Sequence, residues 1–351
     1  MMKAKHLRMT VGVVALAMLL SACSGGGAPS GEKPGGSDGA VGSGKTFTLG
    51  IAGVPPIFLS TVAYVAEDEG FFTEMGVDVK LRPFATSNDV GRAITSGEIP
   101  AGFVGTPLAL SMRSSGSPIV GVLGFEASSY LVGSADPSVE RCSDLKGKTI
   151  AVDAAGAPKA LALSAMLASC GLSDSDVSAV GVGGTQSADV MIAKQVDTAV
   201  MHPDELAMVQ EVRDTEVIIR ISEADKLMHF FTLIANESVV ADAATKTDLA
   251  AVVAGLRMAI EHIADSANHE KVAAIASKMS GRTPAVAKSA LKNYLAIGYW
   301  PADGDGLSRD RIEHVLAQQV GVGNIKENQQ PKYEELVDLS VFKAATSLLG
   351  K

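Results

Sequence analysis

From Thr48 onward, short apolar runs alternate with segments of helical period, and that alternation restricts the chain to an α/β fold built on largely parallel strands. Residues 48–52 read as a strand, followed by the rigid turn Gly53-Val54-Pro55-Pro56. Ser60 can cap a helix that turns Ala63 and Ala66 inward and stops at Gly70. Glu67, Asp68 and Glu69 crowd the C-terminal end of that helix, the wrong sign for its dipole, and nothing local offsets them. Val77, Val79 and Leu81 alternate with Asp78, Lys80 and Arg82, as in a half-buried strand. A helix from Ser87 to Gly97, a strand over 99–104, a helix opened by Thr106-Pro107, and strands over 119–125 and 130–132 complete a first set.

A second set repeats the first: a strand over 149–152, a loop, a helix opened by Pro158, a strand over 177–182, a helix after Ser187 and a strand over 196–201. Gly50-Ile51-Ala52 against Thr149-Ile150-Ala151, and Glu98-Ile99 against Gln195-Val196, recur at an offset of about a hundred residues, which predicts two similar lobes. The strand over 230–235 returns to the first lobe. Beyond it Leu249, Val252, Val253, Leu256, Ile260 and Ile263 share one helical face behind a Thr247-Asp248 start. Further helices near 272–279, 285–294 and 311–320, with Trp300-Pro301 between the last two, are expected to pack on the first lobe.

A chain of 351 residues is long enough for two domains and a sizeable core. Its formal net charge is −9, and an acidic chain without a basic run is a poor nucleic-acid binder. The N-terminus has the build of a secretion signal: Lys3, Lys5 and Arg8, an apolar run over 11–20 too short for a permanent membrane helix, then Leu20-Ser21-Ala22-Cys23. That ending resembles the lipobox of bacterial lipoproteins. The resemblance implies a signal peptide over 1–22, a lipid on Cys23, and residence outside the cytoplasm on a membrane anchor. Residues 23–45 are mostly Gly, Ser, Pro and small polar residues and read as a disordered tether. Within them Gly39 to Thr46 match a phosphate-loop pattern, but no strand precedes and no helix follows, so the match is read as chance. With Cys23 lipidated, Cys142 and Cys170 remain as an even pair in an oxidising setting and are expected to form a disulfide.

Several pieces in order then carry a family likeness: Tyr64-Val65-Ala66-Glu67-Asp68-Glu69-Gly70-Phe71-Phe72, Gly76-Val77-Asp78-Val79, Ala93-Ile94-Thr95-Ser96-Gly97-Glu98-Ile99, Asp144-Leu145-Lys146-Gly147-Lys148-Thr149-Ile150-Ala151-Val152 and Val196-Asp197-Thr198-Ala199-Val200. The chain resembles the substrate-binding lipoproteins of ABC importers, in the group that includes sulfonate, taurine, nitrate and thiamine-pyrimidine binding proteins. The resemblance implies a two-lobed periplasmic-binding-protein fold of type II, each lobe a mainly parallel sheet flanked by helices, with a helical C-terminal extension. Lobe 1 would comprise 46–132 and 230–351, and lobe 2 would comprise 133–229. It further implies a monomer without cofactor that passes a small solute to a membrane permease. The chain departs from the family at Ala155-Gly156-Ala157-Pro158-Lys159, where many members have a Ser-Ser-x-His type turn. It departs again at His202-Pro203-Asp204, where many have Trp-Glu-Pro, and at Pro100, where Asp is usual.

In open α/β sheets, ligands bind beyond the carboxyl ends of the strands, where helix N-termini offer free N–H donors. Five segments qualify. The first supplies Gly53, Pro55, Pro56 and Phe58; the second, over 85–88, supplies Thr86 and Ser87; the third supplies Thr106; the fourth supplies Ala155, Gly156, Ala157 and Lys159; the fifth supplies His202 and Asp204. Each has a purely structural alternative: Ser87 and Thr106 as helix caps, Phe58 as core, the prolines as turn stiffeners. Lys159 near a helix start suits an anionic ligand. His262 and His269 lack a partner at metal-ligand spacing and read as solvated, and no metal site is expected. Gly35 to Gly39 spell Gly-x-Ser-x-Gly only within the tether, where no strand and helix frame a nucleophile elbow, and no His-Glu-x-x-His helix is present. A sulfonate-like organic anion is the favoured solute, a pyrimidine-like aromatic the alternative. An extracytoplasmic enzyme or a sensor on the same scaffold stays open.

Overall fold

The computed structural model describes residues 43–153, 158–182, 186–301 and 303–351. The proposed signal peptide, Cys23, nearly all of the tether, and Ala155, Gly156 and Ala157 lie outside them.

Among the described residues, ten strands form two five-stranded sheets. They are β1 (Phe47–Ala52), β2 (Val79–Phe84), β3 (Ala101–Gly105), β4 (Ile119–Phe125), β5 (Leu131–Ser134), β6 (Thr149–Val152), β7 (Ser178–Gly181), β8 (Thr198–Met201), β9 (Glu216–Arg220) and β10 (Phe231–Asn236). The first sheet has the order β2-β1-β3-β10-β4 and the second β7-β6-β8-β5-β9. In each, four strands run in one direction and one returning strand lies antiparallel between two neighbours: β10 between β3 and β4, β5 between β8 and β9. The chain crosses from the first sheet to the second after β4 and comes back before β10. The crossings touch where the Ile221 N–H donates to the Tyr130 carbonyl at 3.0 Å.

The run over 130–132, expected as the last strand of the first set, instead pairs in the second sheet as part of β5. Its residues are buried on both faces, so no alternation marks which sheet it serves. β9, half-buried at the edge, is an addition to the expected strands.

The helix Ala243–Ala264 covers the first sheet with the expected face: Leu249, Val252, Val253, Leu256, Ile260 and Ile263 are all buried. It starts a turn earlier than Thr247, because the Asp242 carboxylate accepts from the Thr245 N–H at 3.0 Å and caps it there. The misplaced acids at the end of helix Thr61–Asp68 find their offset in tertiary structure. Lys271, on the neighbouring helix His269–Ser280, reaches Glu69 at 2.6 Å and Asp68 at 3.7 Å.

Cys142 and Cys170 are joined by a disulfide, with Cα atoms 6.1 Å apart and a sequence separation of 28. It ties the turn before β6 to the end of helix Pro158–Ser169. Closing a loop of that length is worth about 3 to 4 kcal/mol in unfolded-state entropy. We expect Cys142→Ser with Cys170→Ser to lose about that much in urea denaturation. A loss under about 1 kcal/mol would show the bond to be dispensable.

Candidate functional site

Two adjoining cavities lie where the carboxyl ends of β1, β2, β3, β6 and β8 face one another, with volumes of about 700 Å3 and about 520 Å3. Ile57, Leu59, Ser87, Tyr130 and His202 line both. The larger is walled mainly by apolar side chains, Leu108, Leu161, Met228, Phe230 and Val322 among them. The smaller holds the charged groups Asp153, Lys159, Asp204, Glu205 and Arg282.

The turn after β1 places Gly53, Pro55 and Pro56 against the smaller cavity. Gly53 has φ +94°, and a Cβ there would stand 2.7 Å from the Pro55 carbonyl oxygen, so the turn requires glycine. Phe58 is buried and stacks on Tyr294 with ring centroids 5.3 Å apart, which makes it core as much as lining. Thr86 and Ser87 stand at the start of helix Ser87–Thr95. Thr86 caps it: its hydroxyl accepts from the Asp89 N–H at 3.2 Å and donates to the Asp89 carboxylate at 2.7 Å. Ser87 faces both cavities and has no side-chain hydrogen bond to any described residue.

Thr106 departs from its expected role. It is fully buried, and its hydroxyl lies 2.7 Å from His229 Nδ1 and 2.8 Å from the Thr232 hydroxyl. His229 Nε2 meets the Gly306 carbonyl at 2.6 Å, an acceptor, so Nε2 carries the proton and Nδ1 accepts from Thr106. Burial lowers the His229 pKa to about 4, which keeps the ring neutral. The trio pins β3, β10 and a C-terminal loop together, and Thr106 has no hydroxyl to spare for a ligand.

Lys159 also departs from its expected role. The residue is 4% exposed, and its ammonium sits 2.8 Å from both carboxylate oxygens of Glu205 and 3.0 Å from the Ser187 hydroxyl. Burial pushes the Glu205 carboxyl up while Lys159 pulls it down. Glu205 also accepts the His202 N–H at 2.8 Å, at the start of helix Pro203–Gln210. Asp204 is likewise committed: one oxygen meets Arg282 Nη2 at 2.9 Å and the other accepts from the Tyr294 hydroxyl at 3.0 Å. Asp153, at the end of β6, caps the helix Pro158–Ser169 by accepting the Lys159 and Ala160 N–H groups at 2.9 and 3.0 Å. The donors that might have met an anion at that helix start are already met by a carboxylate.

His202 packs on Tyr130 at 4.5 Å and its Nδ1 lies 2.8 Å from the Ser129 hydroxyl. Burial first, then Lys159, lower its pKa to about 3, so the ring is neutral. Tyr130 and Phe230 meet edge to face at 5.1 Å. Both line the cleft from the crossings between the sheets, and neither is among the residues that the sequence singles out. The strand-end rule looks past the crossings, although an aromatic residue at each is a visible signal.

The family described as NMT1/THI5 like matches over residues 58–266. No curated protein matches the chain. Solved structures of similar fold include the sulfonate-binding protein SsuA from Methylobacillus flagellatus KT, 18% identical, covering 88% of this chain and 96% of that one at a TM-score of 0.69. The nitrate-binding protein NrtA from Synechocystis PCC 6803 is 14% identical, covering 88% and 90% at 0.66. A point mutant of DSZB in complex with biphenyl-2-sulfinic acid is 12% identical, covering 86% and 99% at 0.64. At these identities the likeness is one of fold.

Proposed function

Because the chain belongs to the NMT1/THI5-like family, we propose that it is the solute-binding component of an ABC importer, capturing a small organic molecule between two lobes and delivering it to a membrane permease. The observation that carries this reading is the cleft itself. Strand ends of two sheets of like topology face one another across it, and the two crossings and several helices lean over it. Such a cleft can open and close by bending at the crossings, and closure gives a permease a shape to recognise.

The N-terminal pattern supports an extracytoplasmic protein, tethered over 23–45 and anchored by lipid on Cys23 after removal of 1–22, and we take it to act as a monomer. The two sheets support lobes that divide at the crossings; the 229/230 boundary drawn from the sequence falls there, whereas the 132/133 boundary would cut β5, so the first division belongs before Leu131. We favour binding over turnover: Lys159, Glu205, Asp204 and Arg282 satisfy one another, and Cys142 and Cys170 are spent in a disulfide. The case for a sulfonate-like anion rests on Lys159, whose charge Glu205 already meets.

Native mass spectrometry of the protein as purified tests the reading. We expect a small organic molecule that denaturation releases chemically unchanged. A protein recovered empty, and unshifted in melting temperature by a panel of small organic solutes, would overturn it. A molecule recovered altered would favour an enzyme.

A further inference from the structure

The charges of the cleft narrow the solute class. Its smaller cavity carries the carboxylates of Asp153, Asp204 and Glu205 against the cations of Lys159 and Arg282. Each cation is engaged, Lys159 with Glu205 at 2.8 Å and Arg282 with Asp204 at 2.9 Å. The remaining carboxylate, Asp153, holds a helix start. The stretches 154–157 and 183–185 read Ala-Ala-Gly-Ala and Gly-Gly-Thr, so no charged side chain comes from them. An anion entering here would meet a surplus of negative charge and, among the described residues, no unpaired cation. Burying a charge without a partner is costly.

Where the two cavities meet stands Tyr130, 8% exposed, whose hydroxyl makes no hydrogen bond to any described residue. Beside it the neutral His202 ring uses Nδ1 on Ser129 and leaves Nε2 without a described partner. Beyond lies the apolar cavity of about 700 Å3, a size that suits a drug-sized organic molecule.

We infer that the solute carries no negative charge and has two parts: an apolar or aromatic body filling the larger cavity, and an uncharged or cationic hydrogen-bonding head held at Tyr130 and His202. The inference rests on reading the cleft as a solute site.

Two fluorescent probes with one skeleton separate the claims: N-phenyl-1-naphthylamine, which is uncharged, and 8-anilino-1-naphthalenesulfonate, the same framework bearing a sulfonate. Titrated into the tethered chain after removal of co-purified ligand, the uncharged probe is expected to bind at least about tenfold more tightly. Ala165→Trp, filling the apolar cavity, is expected to weaken it about tenfold while far-ultraviolet circular dichroism stays unchanged. Equal or tighter binding of the sulfonate would overturn the charge claim, and indifference to Ala165→Trp would overturn the placement of the body. If neither probe binds but taurine or nitrate raises the melting temperature, this inference falls while the solute-binding reading stands. If nothing binds, both fall.

Discussion

Lys159→Met is expected to cost about 3 to 5 kcal/mol of stability, because it strands the Glu205 carboxylate, 1% exposed, without its counter-charge. The pair itself is a weaker stabiliser than that number suggests. Much of its attraction repays the cost of taking two charges out of water. Adding Glu205→Gln to Lys159→Met should therefore restore at least half of the loss, since the amide oxygen can still accept the His202 N–H and no charge is buried. The sign of the pH dependence follows. In the single variant, burial holds the folded-state carboxyl above its unfolded value, so the folded protein takes up the proton first as pH falls. The penalty is then full at neutral pH and shrinks toward pH 5. Urea denaturation of the two variants at both pH values measures all of this. A single variant within about 1 kcal/mol of the parent would show that the pair is not the buried unit described.

The second large effect is steric. In β4, a Cβ on Gly124 would stand 1.9 Å from the Gly306 carbonyl oxygen and 2.8 Å from His229 Nε2. The loop carrying Gly306 cannot simply retreat. The Gly124 N–H donates to the Asp305 carbonyl at 2.8 Å, and the Gly306 carbonyl accepts from His229 at 2.6 Å. Gly124→Ala must break one of these or bend β4, and we expect a loss of about 3 kcal/mol or more. Gly181→Ala is the control: it ends the exposed strand β7, its nearest contact would be 3.6 Å away, and a change within about 0.5 kcal/mol is expected by denaturation. Equal effects from the two substitutions would mean that the close approach of β4 and the loop is absent in solution.

What the sequence shows well is what depends on neighbours along the chain. Strand and helix alternation, the buried face of helix Ala243–Ala264, and the turns at the strand ends follow from local period and turn chemistry. Those turns do gather around one cleft. Partners distant in sequence are what local pattern cannot supply. Lys159 reads as a ligand contact because nothing in the sequence places Glu205, 46 positions on, beside it. Thr106 looks like a lining residue until His229, 123 positions away, occupies its hydroxyl. Asp204 meets Arg282 across 78 positions. Tyr130 escapes notice for another reason: it directly precedes a strand buried on both faces, whose residues do not reveal which sheet they join.

The placement of β10 between β3 and β4 has a bearing on how the polypeptide is made. Among the described residues β4 borders no strand of its own sheet other than β10, so until the chain beyond the second sheet has reached the folding compartment, β4 stays unzipped and β3 shows a bare edge. Nascent chains with such edges invite wrong pairing and depend on holdases. The same wiring makes two co-expressed halves, divided at the midpoint, depend on each other to fold. The upstream fragment would lack the strand that knits its sheet together, and that strand would have to be lent back by the downstream fragment.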